Sequence, residues 1–309
     1  MNKKHDVILF VPNAEHTIFK MLFELNDVLI ENNLNSKVMN IKSWSTNVSC
    51  SISVGLGGDK SSTKRGRITG DIIRHQKRVG DRHIVIDQGY VYKRSVYWSV
   101  GWDALNGRAN FCNKNMDDKR INEWGIKFEP WKIDKKGFVL FCLQLPWDAA
   151  VNNVYYPTYV KDTVDKLLLS TKRKIIIREH PMIFKSDLQI FKNDLQLLIA
   201  HEYKKVIKDI MRHDRVYMTE NENIKDDFDQ AWCVVAYNSN STVEAAMHGI
   251  PSFVADSGSM TWNISSHNLD IENPIRPERH QWLCDLSYSQ WHGDEVARGL
   301  PFKQLGVIS

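Results

Sequence analysis

The chain has 309 residues, 42% of them hydrophobic and 25% charged, which suits two globular α/β domains with sizeable cores better than one. No stretch approaches the roughly 20 apolar residues of a membrane span, and the polar start Met1 to Asp6 is too short for a signal peptide, so a cytoplasmic protein is expected. Five scattered cysteines (Cys50, Cys112, Cys142, Cys233, Cys284) with no C-x-x-C pair argue against a disulfide framework and a zinc site, and a net charge of +4 decides little by itself.

In chain order, Asp6 to Val11 reads as a strand, Glu15 to Asn32 as a helix with apolar residues at helical spacing, and Ser36 to Ile41 as a second strand. Val54 to Thr63 is a glycine- and serine-rich loop. Its Gly-x-x-Gly-Asp-Lys-Ser misses a P-loop, because the spacing is wrong and Asp59 stands where glycine would admit a phosphate, so ATPase chemistry is rejected. A basic segment follows, with Lys60, Lys64, Arg65, Arg67, Arg74, Lys77, Arg78 and Arg82; it reads as a solvated face or loop, or as a surface that meets phosphates. His83 to Asp87 is a buried-strand pattern, and the aromatic, Gly- and Asn-rich stretch from Tyr90 to Pro130 is expected to be irregular.

The second half alternates more regularly. Strands are expected at Gly137 to Gln144, Lys174 to Arg178, Arg215 to Thr219, Ala231 to Tyr237 and Ser252 to Ala255. Helices are expected at Val160 to Ser170, Leu188 to Ile210 and Thr242 to His248. Such alternation builds βαβ units and a doubly wound parallel sheet. The expected domains are residues 1–134, residues 135–272, and a helical segment 273–309 that packs back on the first domain.

Three motifs carry chemistry. The first is the turn Asn238-Ser239-Asn240-Ser241-Thr242 between a buried strand and a helix, where free N–H groups and short hydroxyl side chains favour a phosphate; Ser241 and Glu244 have capping-box spacing. The second is His180-Pro181, a histidine at a strand's carboxyl end fixed by proline, suited to neutralising a leaving nucleotide. The third is Asp87-Gln88-Gly89-Tyr90, whose carboxylate suits a general base and whose Asp-x-Gly is equally ordinary turn chemistry. Asp227-Phe228-Asp229 is read as a solvated turn cluster, not a metal site.

An acid-then-Gly motif, a His-Pro motif and a Ser-Ser/Thr motif in that order resemble the signature of bacterial GT-B sialyltransferases and capsule Kdo transferases. The resemblance implies a GT-B-like α/β fold, two Rossmann-like domains facing a central cleft, with Asp87 as base, His180, Ser241 and Thr242 on the nucleotide phosphate, and no metal. This chain has Asp87-Gln88 where the family has paired acids. Two further segments, Trp98 to Ala109 and Arg279 to Trp291, are similar to segments of predicted tailed-phage glycosyltransferases, including those acting on hydroxymethylated cytosine in phage DNA; a phage-encoded enzyme would work in the host cytoplasm.

The sequence thus leads to an inverting, metal-independent glycosyltransferase. Its cosubstrate is a UDP- or CMP-linked sugar held by His180, Pro181, Asn238, Ser239, Asn240, Ser241, Thr242 and Glu244. The expected acceptor is a hydroxymethyl-pyrimidine in double-stranded DNA, held by Lys64, Arg65, Arg67, Tyr90, Arg94, Asp103 and Arg108. A capsule or lipopolysaccharide glycosyltransferase and a non-catalytic DNA- or nucleotide-binding protein are the alternatives.

Overall fold

The run Val7-Ile8-Leu9-Phe10-Val11 is buried along its whole length, and so is Ala231-Trp232-Cys233-Val234-Val235-Ala236. Strands hidden on both faces need cover above and below, which parallel sheets obtain from their crossover helices. Each run is an interior strand of its own sheet in the computed structural model, which describes residues 4–12, 17–59, 64–151, 154–185 and 194–309. Glu15 and His16 of the expected first helix, Lys60-Ser61-Ser62-Thr63 of the glycine- and serine-rich loop, and Leu188 to Asn193 of the expected long helix lie outside the described residues. The chain divides into two compact units, Met1–Gly125 with His280–Ser309, and Ile126–Arg279.

In the first unit, β1 (His5–Val11), α1 (Thr17–Glu31), β2 (Ser36–Asn40), β3 (Cys50–Leu56), α2 (Lys64–Val79) and β4 (Arg82–Gln88) form a parallel sheet in the order β2-β1-β3-β4. Phe19, Leu22, Leu25 and Leu29 of α1 recur at helical spacing and are buried against one face of it. The basic segment is a helix, not a loop: α2 turns Gly66, Thr69, Gly70, Ile72 and Gln76 inward and its charges outward. β5 (Tyr97–Trp102) then runs antiparallel to β4, within the stretch expected to be irregular, and α3 (Lys119–Glu123) follows.

The second unit contains β6 (Phe138–Cys142), α4 (Tyr156–Ser170), β7 (Ile175–Arg178), α5 (Met182–Lys185), α6 (Asp194–Ile210), β8 (Val216–Met218), α7 (Ile224–Gln230), β9 (Ala231–Ala236), α8 (Ser241–Met247) and β10 (Ser252–Val254). Its strands are all parallel, in the order β10-β9-β6-β7-β8. Gly249 ends α8 with φ +70°, and a Cβ there would run into the Pro130 carbonyl oxygen, so both the backbone and the space require glycine.

The last stretch belongs to the first unit: α9 (His280–Ser287), β11 (Gln290–His292), α10 (Gly293–Ala297) and α11 (Leu300–Gln304). β11 pairs antiparallel with β5 and completes a six-stranded sheet among the described residues. Buried Arg120 of α3 ties this stretch down, donating to the Ser287 and Gln290 carbonyls at 3.0 and 2.5 Å and to Glu295 at 2.5 Å, with its guanidinium over Trp291. Two α/β sheets wrapped by helices, one per unit, are the two-Rossmann-domain plan of a GT-B-like chain. No helix among the described residues is long and apolar enough to cross a membrane.

His83 of β4 is 2% exposed, shares a 2.7 Å hydrogen bond with Ser53, and is pushed by burial from the ordinary 6.5 down to about 4. The unfolded chain therefore binds a proton at this ring between those values and the native state does not. Its contribution is whole above pH 6.5 and is lost as pH falls towards 4. Urea unfolding should show about 2 to 3 kcal/mol more loss between pH 7.5 and 4.5 for the wild type than for His83→Phe; equal losses would contradict the assignment.

Candidate functional site

The crossovers of the second unit run from β6 outward to β7 and β8, and the chain then returns to place β9 on the other side of β6. The loops after β6 and β9 thus diverge, which makes this edge the topological switch point where open α/β sheets bind ligands. Asn238, two residues past β9, meets Gln144, two residues past β6. The Asn238 backbone N–H donates to the Gln144 side-chain oxygen at 3.0 Å, and the Gln144 amide donates to the Asn238 side-chain oxygen at 2.8 Å. The Asn238 amide nitrogen then donates to the Ala150 carbonyl and to Asp256, both at 2.8 Å. Asn238 is therefore a fully committed, buried strut that holds three loops, not a group that turns to a ligand.

Thr242 is also turned inward. It is completely buried and donates to the Ser239 carbonyl at 2.8 Å while accepting from Thr261 at 2.9 Å. Ser265 donates to Thr261, and Ser252 lies 2.7 Å from Ser265, so one directed chain of hydroxyls runs from β10 to the turn. The expected capping box does not form. Asn240 precedes α8 without a side-chain cap, and Ser241 is already helical, its N–H taken by the Ser239 hydroxyl at 3.3 Å. The first-turn amides of Thr242 and Val243 are bonded to the Ser239 and Asn240 carbonyls.

What the turn offers a ligand is its hydroxyls. The Ser239 oxygen accepts from both the Ser241 N–H and, at 3.0 Å, the Ser241 hydroxyl. With both acceptor positions used, its own O–H hydrogen remains as a donor. Half-buried Glu244 faces the same strand end as Cys142, whose thiol is pushed up to about 12 by burial, with the Ser241 hydroxyl opposing, so it is no nucleophile at neutral pH.

The loop after β7 carries His180-Pro181. The His180 Nδ1 accepts from the Met182 N–H at 3.1 Å, which in the neutral ring places the proton on Nε2. Because β6 lies between β7 and β9, roughly 10 Å separates the strand axes that carry His180 and the serine turn. Burial raises the Glu179 carboxyl, with Tyr203 and Lys204 opposing. Arg178 donates to Asp227 at 2.6 Å and to the Asn221 and Glu222 carbonyls. Asp227, expected in a solvated cluster, is instead fully buried in α7 and also accepts from Thr219 and Asn221. Asp227 and Phe228 are the buried residues of α7, and Arg178 supplies the countercharge of the aspartate. Among the described residues, no group of three metal-binding side chains is present.

In the first unit, Asp87 is half-buried near the end of β4, with one carboxylate oxygen accepting from the Gln88 N–H at 2.9 Å. Tyr90 is buried; its N–H and that of Val91 are held by the side-chain oxygen of fully buried Gln290, and the Gln290 amide donates to the Tyr92 carbonyl. Exposed Arg94 donates to the Gly89 carbonyl. Asp103 accepts from Arg82 at 2.6 Å and from the His83 N–H, which puts it at the opposite end of β4 from Asp87, roughly 13 Å along the strand. Lys64, Arg65 and Arg67 are exposed on the first turn of α2, and Arg108 is half-buried in a short turn after β5. Sequence reasoning passed over Gln144, Asp256 and Gln290. The first stands directly after a buried strand and the second opens an Asp-x-Gly turn, both visible signals; Gln290 had none.

No protein-family model matches the sequence, and no curated protein does. Among solved structures, the chain is similar to KpsC, a β-Kdo 2,7 transferase from Thermosulfurimonas dismutans (10% identity, covering 97% of this chain and 99% of that one, TM-score 0.48). It is also similar to the UDP-GlcNAc 2-epimerase of Methanocaldococcus jannaschii (11%, 82% and 83%, 0.31) and to WaaG, a glycosyltransferase of lipopolysaccharide biosynthesis (10%, 98% and 99%, 0.31). These are likenesses of fold alone.

Removing one side of the buried Arg178–Asp227 pair leaves an uncompensated charge. Asp227→Ala should therefore lower unfolding stability by about 3 to 5 kcal/mol, and Asn238→Ala by about 2 to 4 kcal/mol, in urea titrations. A loss below about 1 kcal/mol in either would contradict the structural role given to it.

Proposed function

We propose that the chain transfers a sugar from a nucleotide-sugar donor to a hydroxyl of a saccharide, of the kind built into capsule or lipopolysaccharide chains. The observation that carries the reading is the Ser239 hydroxyl after β9, left as a donor by the two bonds its oxygen accepts, on the same carboxyl edge of the second sheet as His180 after β7. Donors fixed in place by their own acceptor bonds suit a phosphate whose charge grows as it leaves. Thr242 and Asn238 set the turn without touching the phosphate, and Ser241 and Glu244 complete its wall.

In this reaction the acceptor oxygen bonds to the anomeric carbon as that carbon's bond to the donor phosphate oxygen breaks. The acceptor proton passes to the Asp87 carboxylate, and the electron pair leaves with the nucleotide, whose charge is met by His180 and Ser239. One displacement inverts the anomeric centre. Protein donors meet the phosphate charge here, so a chelator should leave the rate unchanged.

A saccharide is favoured over DNA because the side chains nominated to receive a base or its backbone have structural partners. Tyr90 is buried, Arg94 holds the Gly89 carbonyl, and Asp103 pairs with Arg82. A hydroxymethylated-pyrimidine duplex remains the second reading, favoured by Lys64, Arg65 and Arg67 exposed on α2.

Incubation with UDP- and CMP-sugars, an oligosaccharide panel and plain and hydroxymethylated duplexes, read by mass, tests both. Mass gain on a saccharide is expected; gain on the hydroxymethylated duplex alone would replace the acceptor, and no consumption of any donor would overturn the transferase. His180→Ala should slow transfer by about 10²-fold and Asp87→Asn by about 10²- to 10⁴-fold. A near-wild-type rate for Asp87→Asn would remove it from the mechanism.

A further inference from the structure

The strand order of the first unit places charge beside Asp87. Leu56, the last residue of β3, lies opposite Ile86 of β4, and the Gly57 N–H donates to the Ile86 carbonyl, so the loop after β3 opens next to Asp87. α2 then returns the chain from that carboxyl edge to the start of β4 at Arg82. Its first turn, with Lys64, Arg65 and Arg67, therefore belongs to the edge that bears Asp87, and its last turn, with Lys77 and Arg78, to the opposite edge.

Asp87 also lies on the α2 face of the sheet. His83 and Thr69 of α2 both border Gly55, which puts His83 on that face, while Ile84 and Ile86 belong to the core under α1. Alternation along β4 sets Asp87, four residues after His83, on the same face as His83. The loop that follows adds Lys93, over the Tyr92 ring, and Arg94, bonded to the Gly89 carbonyl. Residues 64–67 and 87–94 thus bring five exposed basic side chains to one edge against one carboxylate, Asp87 itself. The acid of the described loop after β3, Asp59, has its charge met by Arg74.

Positive charge around a carboxylate that receives a hydroxyl proton selects a molecule bringing negative charge of its own. The extent of the cluster narrows the class. Lys64 to Arg67 covers one helical turn, roughly 5 Å, and Lys77 lies roughly 20 Å from Lys64 along the helix, beyond the Asp71–Arg74 ion pair. The cations of α2 are therefore two separate groups, not a continuous track. Duplex DNA offers a charge about every 1.7 Å and rewards a track. A saccharide whose acid groups are spaced by whole sugar rings suits a local cluster.

We propose that the acceptor is an anionic saccharide, its acid groups held by the basic side chains of this edge, Lys64 and Arg65 foremost, while a hydroxyl of the same molecule meets Asp87. The inference rests on the reading of Asp87 as the acceptor's base. Arginine meets carboxylate or phosphate oxygens through paired N–H groups and lysine acts as a point charge, so either kind of acid group fits.

Calorimetric titration of the full chain without any sugar nucleotide tests this with two matched pairs: a galacturonate tetramer and its methyl ester, and maltotetraose with and without a terminal phosphate. The charged member of at least one pair should bind and its neutral partner should not, with affinity falling roughly tenfold as salt rises from about 0.02 to 0.3 M. Which pair responds tells carboxylate from phosphate. Lys64→Glu with Arg65→Glu should weaken that binding by roughly tenfold or more and keep the wild-type melting temperature, since glutamate suits a first helical turn. Lys77→Glu with Arg78→Glu should leave it unchanged. Binding of neither charged saccharide, equal binding of charged and neutral partners, or equal losses in the two double variants would overturn the proposal. Tighter binding of a DNA duplex than of either acid saccharide, lost in Lys64→Glu with Arg65→Glu, would overturn it in favour of nucleic acid. Failure of the two readings is separable: charged-saccharide binding without transfer of any sugar removes the transferase, and transfer to neutral saccharides alone removes this inference.

Discussion

The reciprocal amide pair between Gln144 and Asn238 is the constraint on which the candidate site depends. It bridges the two strand ends where the crossovers of the second sheet diverge, a place where no ladder hydrogen bond can hold the loops. Through the same Asn238 amide, the loop at Ala150 and the turn at Asp256 are drawn to the strand end. The hydroxyl chain from Ser252 to Thr242 braces the turn from beneath. The consequence is a turn whose Asn238, Ser241 and Thr242 backbone amides are occupied and whose Ser239 hydroxyl keeps its hydrogen as a donor. The phosphate site proposed here would rest on a few oriented donors more than on the terminus of α8, a helix of seven residues.

The first unit uses the same device. Gln290 bonds three backbone groups of the loop after Asp87 as though it were a strand, and Arg120 fastens the segment that carries Gln290. A buried side chain whose polar atoms are all satisfied adds rigidity and pins one arrangement. Asp87 thereby leads into a loop that is held from a segment some two hundred residues away.

The elements that could be read from sequence are those whose pattern is local. β1, β4, β6 and β9 stand out as apolar runs, and α1 as a helical stripe. β3 escaped because Ser51 and Ser53 alternate with its apolar residues beside a glycine; Ser53 is buried in an interior strand, where His83 satisfies its hydroxyl. α2 escaped because its charges mask an inward face of small residues. β5, rich in aromatics and glycine, becomes a strand through its pairing with β4 and β11, neither visible from its own composition.

The same division runs through the site. A strand, a small polar turn and a helix mark Asn238 to Thr242 in any reading of the chain. Which of those side chains face inward depends on Gln144, Thr261 and Asp256, whose proximity follows from strand order. Asp227 looked solvated because its neighbours Asp226 and Asp229 are, and Arg178 reverses that from another strand.

Hydrogen exchange read by mass spectrometry, with and without saturating UDP or CMP, tests the central claim most directly. Protection of the backbone around residues 178–183 and 237–244 is the result this account predicts. Protection confined to residues 54–59 and 86–91 of the first unit, or none with either nucleotide, would contradict it.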